Sequence, residues 1–352
     1  MRSSPRYRTA EQDAGPGATV EALRDHLRVV MPEAGVLQSV ERLSGGQSNP
    51  TFRLSMSAGD FVLRRKPPGP LLPSAHAIER EYRVMGALRG SAVPVPRVLH
   101  LCDDGSLLGS PFYVMEFVPG RIFWDARLPE CTPAERRRIY AEMGDVLAAL
   151  HAIRPSDVGL LDFGRHAGYF ARQLKAWTER YRASETHVRG SMESLIERLP
   201  RHLPEDDGQV ALTHGDYRLD NLVFDRDGRA VAVLDWELST LGHPLADLAY
   251  QCAQWRLPPG VMRGLEGVDR HAMGLPTEAE YVERYCRARG LDGIDHWPFY
   301  LSLSLFRLAA ICQGVYRRSL RGNAAGADAA DFSRRTDIIA ACALGVISGE
   351  AR

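Results

Sequence analysis

The stretch LTHGDYRLDNLVFD, residues 212–225, decides how this chain is read. His214, Asp216, Asp220, Asn221 and Asp225 crowd between Leu212 and the apolar run Leu222, Val223, Phe224. A short apolar run bounded by polar residues reads as a buried strand, and the polar residues before it as a loop that the strand anchors. A second strand, AVAVLD (230–235), follows across Asp227-Gly228, a turn dipeptide. Asp216 and Asn221 flank the loop into the first strand, and Asp235 ends the second. A hairpin would let these three oxygen-bearing side chains converge. Carboxylate and amide oxygens suit Mg²⁺, which usually takes one or two protein carboxylates plus substrate phosphates. Asp216 is then left to orient or deprotonate a hydroxyl. Singly, Asp216 and Asn221 are also ordinary turn residues. The spacing of all three carries the reading.

Outward from this stretch, composition sets bounds. A length of 352 residues implies two domains or one two-lobed unit. Hydrophobic residues make up 45% and charged residues 25%, which is ordinary for a globular chain with a substantial core. Lys+Arg and Asp+Glu both total 44, so the net charge is zero, against a nucleic-acid partner. The cysteines, Cys102, Cys131, Cys252, Cys286, Cys312 and Cys342, include no C-x-x-C pair. Their spacing fits neither a zinc site nor a disulfide framework, and implies thiols in a reducing cytosol. No apolar run approaches the roughly 20 residues that span a bilayer. The polar start, MRSSPRYRTAEQDAGPG, lacks the apolar centre of a signal peptide and reads as a disordered lead-in over 1–18. The expectation is a cytoplasmic monomer or homodimer with no membrane partner.

The first third alternates apolar and polar residues. VLQSVERL (36–43), TFRLSMS (51–57) and FVLRRK (61–66) read as strands, with a turn at Ala58, Gly59 and Asp60. A helix follows near 75–89, where Ile78, Tyr82, Met85 and Leu88 recur at helical spacing. VPVPRVLHLCDD (93–104) and SPFYVMEFVPG (110–120) supply two more strands. After Gly120 helices dominate. Thr132, Pro133 and Glu135 form a helix start, followed by the stripe Ile139, Met143, Val146, Leu147, Leu150. Further helices are expected near 168–182, 190–199, 277–289, 297–319 and 328–347. The fold class is therefore α+β: an antiparallel β-sheet lobe with one helix over 19–117, and a larger, mainly helical lobe over 118–352.

The pattern HGDYRLDN followed by LDWE resembles the aminoglycoside phosphotransferase family, which shares the two-lobed protein-kinase-like fold. Protein kinases carry H-R-D-x-x-x-x-N and then D-F-G in the equivalent order. The resemblance spans roughly 36–345. It is nearest to the branch that includes the kinase-like domain fused to some acyl-CoA dehydrogenases, on VLRRKPPGPLLPSAHAIEREYRVMGAL and DWELSTLGHPLADLAY.

The resemblance implies ATP and Mg²⁺ as cofactors and assigns roles. Asp216 would be the catalytic base, with His214 supporting its loop by hydrogen bonding. Asn221 and Asp235 would hold Mg²⁺. A cation on the third strand should reach the phosphates and pair with a helical Glu. Alternation puts Val62 and Arg64 on one face, so Arg64 stands where the family usually has Lys, with Lys66 as rival. Glu81 is the favoured helical partner over Glu79, at the margin of the packed face. SGGQSNPTF (44–52) would bring Gly45, Gly46, Gln47, Ser48 and Asn49 to the phosphates. Backbone at Glu116 and Val118 would meet the adenine edge. Asp247 would fix the loop after the metal-binding strand, Glu237 would stand behind the metal ligands, and Trp236 would pack in the core.

The leading expectation is an ATP-dependent small-molecule kinase acting on a hydroxyl. Alternatives are a nucleotide-binding pseudokinase, motivated by Arg64, and an antibiotic phosphotransferase of the aminoglycoside type. Aminoglycoside pockets tend to be acidic because the substrate is polycationic. Here the regions 165–202 and 254–275 are rich in arginine, including Arg182, Arg189, Arg256 and Arg263, which favours an anionic hydroxy acid or hydroxyacyl-CoA.

Overall fold

A computed structural model of the chain describes residues 20–43, 49–67, 77–320 and 329–350. They fall into two compact units, one drawn from Met1–Arg121 and Val231–Ser239, the other from Ile122–Ala230 and Thr240–Arg352. The lead-in expected over 1–18 lies outside the described residues.

The first unit is built on a five-stranded sheet. Its strands are β1 (Leu37–Arg42), β2 (Thr51–Met56), β3 (Gly59–Arg65), β4 (Val98–Cys102) and β5 (Phe112–Glu116). They lie in the order β1-β2-β3-β5-β4 with every pairing antiparallel. Met56 pairs with Gly59, so the hairpin turn is Ser57-Ala58, one residue earlier than the sequence suggested. Gly59 already belongs to the strand at φ 146°, a conformation that other residues rarely adopt.

Two helices, not one, accompany this sheet. The additional helix is α1 (Val20–Val30). Its Leu23 and Leu27, one turn apart, enter a core with Leu37, Phe52, Leu54, Leu63, Phe112 and Val114. Burying each leucine contributes about 1.5–3 kcal/mol. The expected helix is α2 (Ile78–Leu88), whose buried residues are Ile78, Glu81, Val84, Met85 and Leu88. Glu81, not Tyr82, takes the second place in the buried stripe. The carboxylate placed at the margin of that face is thus at its centre, with no exposed surface. The segment 231–239 joins this unit through the Val233 N–H, which donates to Pro94 O at 2.8 Å. Trp236 is fully buried and its indole N–H donates to Val233 O.

The second unit is mainly helical: α3 (Pro133–Ala152), α4 (Tyr169–Ser184), α5 (Gly190–Arg198), α6 (Leu245–Trp255), α7 (Arg270–Met273), α8 (Glu278–Arg289), α9 (Trp297–Leu320) and α10 (Ala329–Ile347). Thr132 and Glu135 close a reciprocal capping box at the start of α3, and Thr277 and Glu280 do so at α8. The α9 helix is long and apolar enough to cross a membrane, with a mean hydropathy of 1.3 over its most apolar window, yet 67% of that window is buried within the protein. It packs against α10, α6 and α4, the position of a core helix. Sequence inspection passed over α6 and the short pair β6 (Ala211–Thr213) and β9 (Thr240–Gly242), which are antiparallel with Leu212 opposite Leu241. After β7 (Leu222–Phe224) the chain turns at 225–229 towards β8 (Ala230–Val233). Asp225 Oδ1 accepts from the N–H groups of Asp227 and Arg229, and Gly228 sits at φ 79°.

Candidate active site

The loop over 214–221 hangs from β6 and is pinned at its start by a buried carboxylate. Asp247, on the first turn of α6, accepts from the backbone N–H groups of His214 at 2.6 Å and Gly215 at 2.8 Å. Its third partner is the His151 ring, 3.4 Å away, which also meets the Tyr285 hydroxyl at 2.7 Å. Burial alone would raise the Asp247 pKa. The His151 contact, the neighbouring imidazoles and the Gly215 N–H outweigh it and hold the carboxyl below its ordinary value. Burial lowers the His151 pKa against the pull of Asp247. Asp247 thus fixes the turn before Asp216, rather than the loop after the expected metal strand.

Past that turn, Asp216 is held on both oxygens. Oδ1 accepts from the Tyr250 hydroxyl at 2.8 Å. Oδ2 accepts from the Asn221 amide at 3.2 Å and stands 3.0 Å from Arg218 Nε. The Asn221 amide also donates to Asp216 O at 2.9 Å, closing the loop across its five-residue offset. His214 is fully buried, and its Nδ1 accepts from the Asp216 N–H at 3.2 Å. A neutral His214 therefore carries its proton on Nε2. Arg307 of α9 donates to Gly215 O at 2.6 Å and lies over the Tyr250 ring at 4.9 Å. Burial, reinforced by the Asp216 charge, raises the Tyr250 pKa and keeps its hydroxyl a donor at neutral pH.

Tyr250, Arg218 and Arg307 escaped the sequence reading. For Tyr250 a signal existed: it follows Asp247 by three residues, so the two share a helix face. Nothing local in SLFRLAA marks Arg307.

In the first unit, acidic oxygens gather around one guanidinium. Arg64 pairs across the sheet with Tyr113 of β5, so both side chains stand on one face. Arg64 Nε lies 3.3 Å from Glu81 Oε2, its other end pairs with Asp235, and Glu237 is 3.8 Å away. The Tyr113 hydroxyl donates to Glu81 at 3.0 Å. Burial opposes the Arg64 charge, but Glu81 and Asp235 hold its pKa above the ordinary value. Burial raises the Glu81 pKa to about 7 despite Arg64. Lys66 is tied instead to Glu79, at 2.5 Å.

Asp235 adopts a left-handed backbone, φ 65°, which is uncommon for a residue with a side chain. Ligand atoms of Glu81, Asp235 and Glu237 lie within 4.8 Å of one another. An all-oxygen carboxylate set matches the donor preference of Mg²⁺, so the residues present fit that ion.

Of the expected phosphate loop, Gly45, Gly46, Gln47 and Ser48 lie outside the described residues. Asn49 is buried, and its amide donates to Glu81 at 3.1 Å and Glu237 at 3.3 Å. A phosphate contact at Asn49 therefore falls to its backbone. The Glu116 N–H is spent on Arg97 O at 2.9 Å, which leaves its carbonyl, whereas Val118 lies two residues beyond β5.

The arginine-rich regions are largely occupied by internal partners. Arg182 pairs with Glu193, Arg189 with Asp337, Arg256 with Glu278 and Arg263 with Asp220. His243 is stacked on Tyr300 and contacts Asp207 at 3.2 Å.

Comparison with known proteins bears on the family and the fold. The family model described as the phosphotransferase enzyme family (APH) matches residues 39–301. Acyl-CoA dehydrogenase family member 10 of Mus musculus is 48% identical over 298 residues, covering 84% of this chain. The chain spans only 28% of that relative's length. A protein of Ralstonia eutropha JMP134, assigned by name to the aminoglycoside phosphotransferases, is 45% identical with a TM-score of 0.85, covering 94% of this chain and 98% of its own. Aminoglycoside phosphotransferase APH(4)-Ia, as a thermostable variant with ADP and hygromycin B, shares the fold at a TM-score of 0.61 and 18% identity, covering 91% of this chain and 98% of its own. The chain belongs to the phosphotransferase enzyme family and has its α+β, protein-kinase-like fold.

Proposed function

We propose that this protein is an Mg-ATP-dependent kinase that phosphorylates a hydroxyl of an anionic small molecule. The observation that carries the reading is Asp216, which stands on a pinned loop with both oxygens oriented by Tyr250 and Asn221. Asp216 accepts the proton of the acceptor hydroxyl. The hydroxyl oxygen bonds to the γ-phosphorus as the bond to the bridging oxygen breaks, and ADP leaves with that electron pair. Arg64 meets the phosphates, exchanging its carboxylate partners for them. Asp235 would hold Mg²⁺, and Asn221 keeps the metal role that its motif gives it. When bound, the ion would neutralise charge on the phosphates. ADP in the APH(4)-Ia complex supports an adenine nucleotide.

The anionic acceptor rests on Arg218 and Arg307 beside Asp216, not on the wider arginine population. The mouse relative is named as an acyl-CoA dehydrogenase family member, and from that we take a hydroxyacyl-CoA or hydroxy acid as the candidate acceptor. Asp216→Asn should lower kcat by about 10²–10⁴-fold while ATP still binds, as general-base loss usually does. Turnover near the wild-type rate would remove Asp216 from the role. Thermal-shift screening with Mg-ATP, CoA esters and aminoglycosides identifies the acceptor, and stabilisation by aminoglycosides alone would overturn the anionic assignment. A second reading, a nucleotide-binding module, is favoured by the engagement of Arg64 with carboxylates. ATP binding without transfer to any hydroxylated compound would support it.

A further inference from the structure

We infer that His26, His100 and Cys102 form a binding site for a borderline-soft divalent cation, with Zn²⁺ as the best fit, that clips α1 to the edge strand β4. The three ligand atoms lie within 4.8 Å of one another. His100 and Cys102 are two residues apart on β4, so their side chains share a face. His26 stands on α1 between the core leucines Leu23 and Leu27, on the side of the helix that meets the sheet.

The arrangement of the imidazoles is unusual. His26 Nε2 and His100 Nε2 face each other at 3.0 Å. Among the described residues each ring's one hydrogen-bond partner is the other, and His26 also interacts electrostatically with Asp104. Both pack against the buried Phe112 ring, with centroids 6.0 and 6.3 Å away. Burial, and then His26, lower the His100 pKa. Cys102 is buried in the core, and among the described residues its Sγ has one hydrogen-bond partner, Asp104 O at 3.7 Å.

The geometry suits a tetrahedral ion. With Zn–N of about 2.0–2.1 Å, two nitrogens on tetrahedral zinc stand about 3.3 Å apart. The imidazoles need to part by only a few tenths of an ångström, and the sulfur to swing inward. Two imidazoles and one thiolate select zinc over Mg²⁺, which prefers oxygen. Water would complete the coordination. Binding displaces the Cys102 thiol proton to solvent. The proton now between the rings moves to Nδ1 of the ring that donates it, so one proton is released per ion. The carboxylate cluster around Asp235 offers no sulfur or nitrogen donor and is distinguishable from this site by spectroscopy. No other cysteine groups with two such ligands among the described residues.

The test titrates the metal-stripped full chain with Co²⁺ and watches for thiolate-to-cobalt charge transfer in the near ultraviolet. One equivalent should produce the band, and Zn²⁺ should bleach it. Cys102→Ser should abolish the band, and His26→Gln, at a half-exposed helix position, should weaken binding at least about tenfold. Zn²⁺ should raise the wild-type Tm by several degrees and leave Cys102→Ser unshifted. Circular dichroism checks that both variants fold, and if Cys102→Ser does not, wild type and His26→Gln decide. Saturation with Co²⁺ without the band, or an equal Zn²⁺ shift in Cys102→Ser, would reduce the cluster to a hydrogen-bonded pair of neutral histidines.

Discussion

Asp216 and Glu81 show how the same functional group is prepared for two tasks. Asp216 remains partly accessible, and among the described residues its Oδ1 has a single hydrogen-bond donor, Tyr250. A hydrogen bond to a charged group contributes about 1.5–3 kcal/mol, so Tyr250→Phe should lower kcat by about 10- to 100-fold with little change in KM. Steady-state kinetics on the identified acceptor checks this, and an unchanged kcat removes Tyr250 from any part in positioning Asp216. Glu81 is enclosed, and burial raises its pKa from 4.5 in the reference state to about 7. Between those values the folded state retains a proton that the unfolded state has lost. The stabilisation from this group is therefore fully present below about pH 4.5 and is lost as pH rises to about 7, by at most about 3 kcal/mol. Glu81→Gln should flatten that part of the pH profile in urea denaturation of the metal-free protein. A variant with the wild-type slope would mean that Glu81 is not its source.

At the scale of elements, legibility followed local chemistry. The helix starts at Thr132 and Thr277 were readable because a capping box is written in adjacent residues. The strands β2, β3 and β5 were readable from alternation, and HGDYRLDN from its spacing. The α1 helix was readable in principle from Val20, Leu23 and Leu27, but its polar surroundings drew it into the lead-in. Burial of Glu81 was not readable, because a carboxylate in a helical stripe ordinarily marks the solvent side. It is tolerated because Arg64, Tyr113 and Asn49, far apart in sequence, converge on it. The strand β9 also lies against a residue equally remote in sequence, Gly164. A Cβ at Gly164 would stand 2.6 Å from Thr240 Oγ1 and 2.7 Å from Leu241 N, backbone that has little room to yield. Gly164→Ala should cost about 1–3 kcal/mol in chemical denaturation. A variant as stable as wild type would show that β9 shifts freely.

For the molecule as a whole, two compact units share one chain with balanced charge, 44 basic against 44 acidic residues. Electrostatic self-repulsion is therefore minimal near neutral pH, where the protein should be least soluble. The polypeptide passes from one unit to the other after Arg121, returns at Val231 and leaves again after Ser239. Those nine returning residues carry Asp235, Trp236 and Glu237. The sheet unit is consequently not a module that a gene can gain or lose at one junction. A fragment ending at Arg121 would keep Arg64 but discard two of its three carboxylate partners. Recombination can exchange this sheet-bearing unit only together with an insert lodged more than a hundred residues downstream, so its inheritance is tied to that of its neighbour.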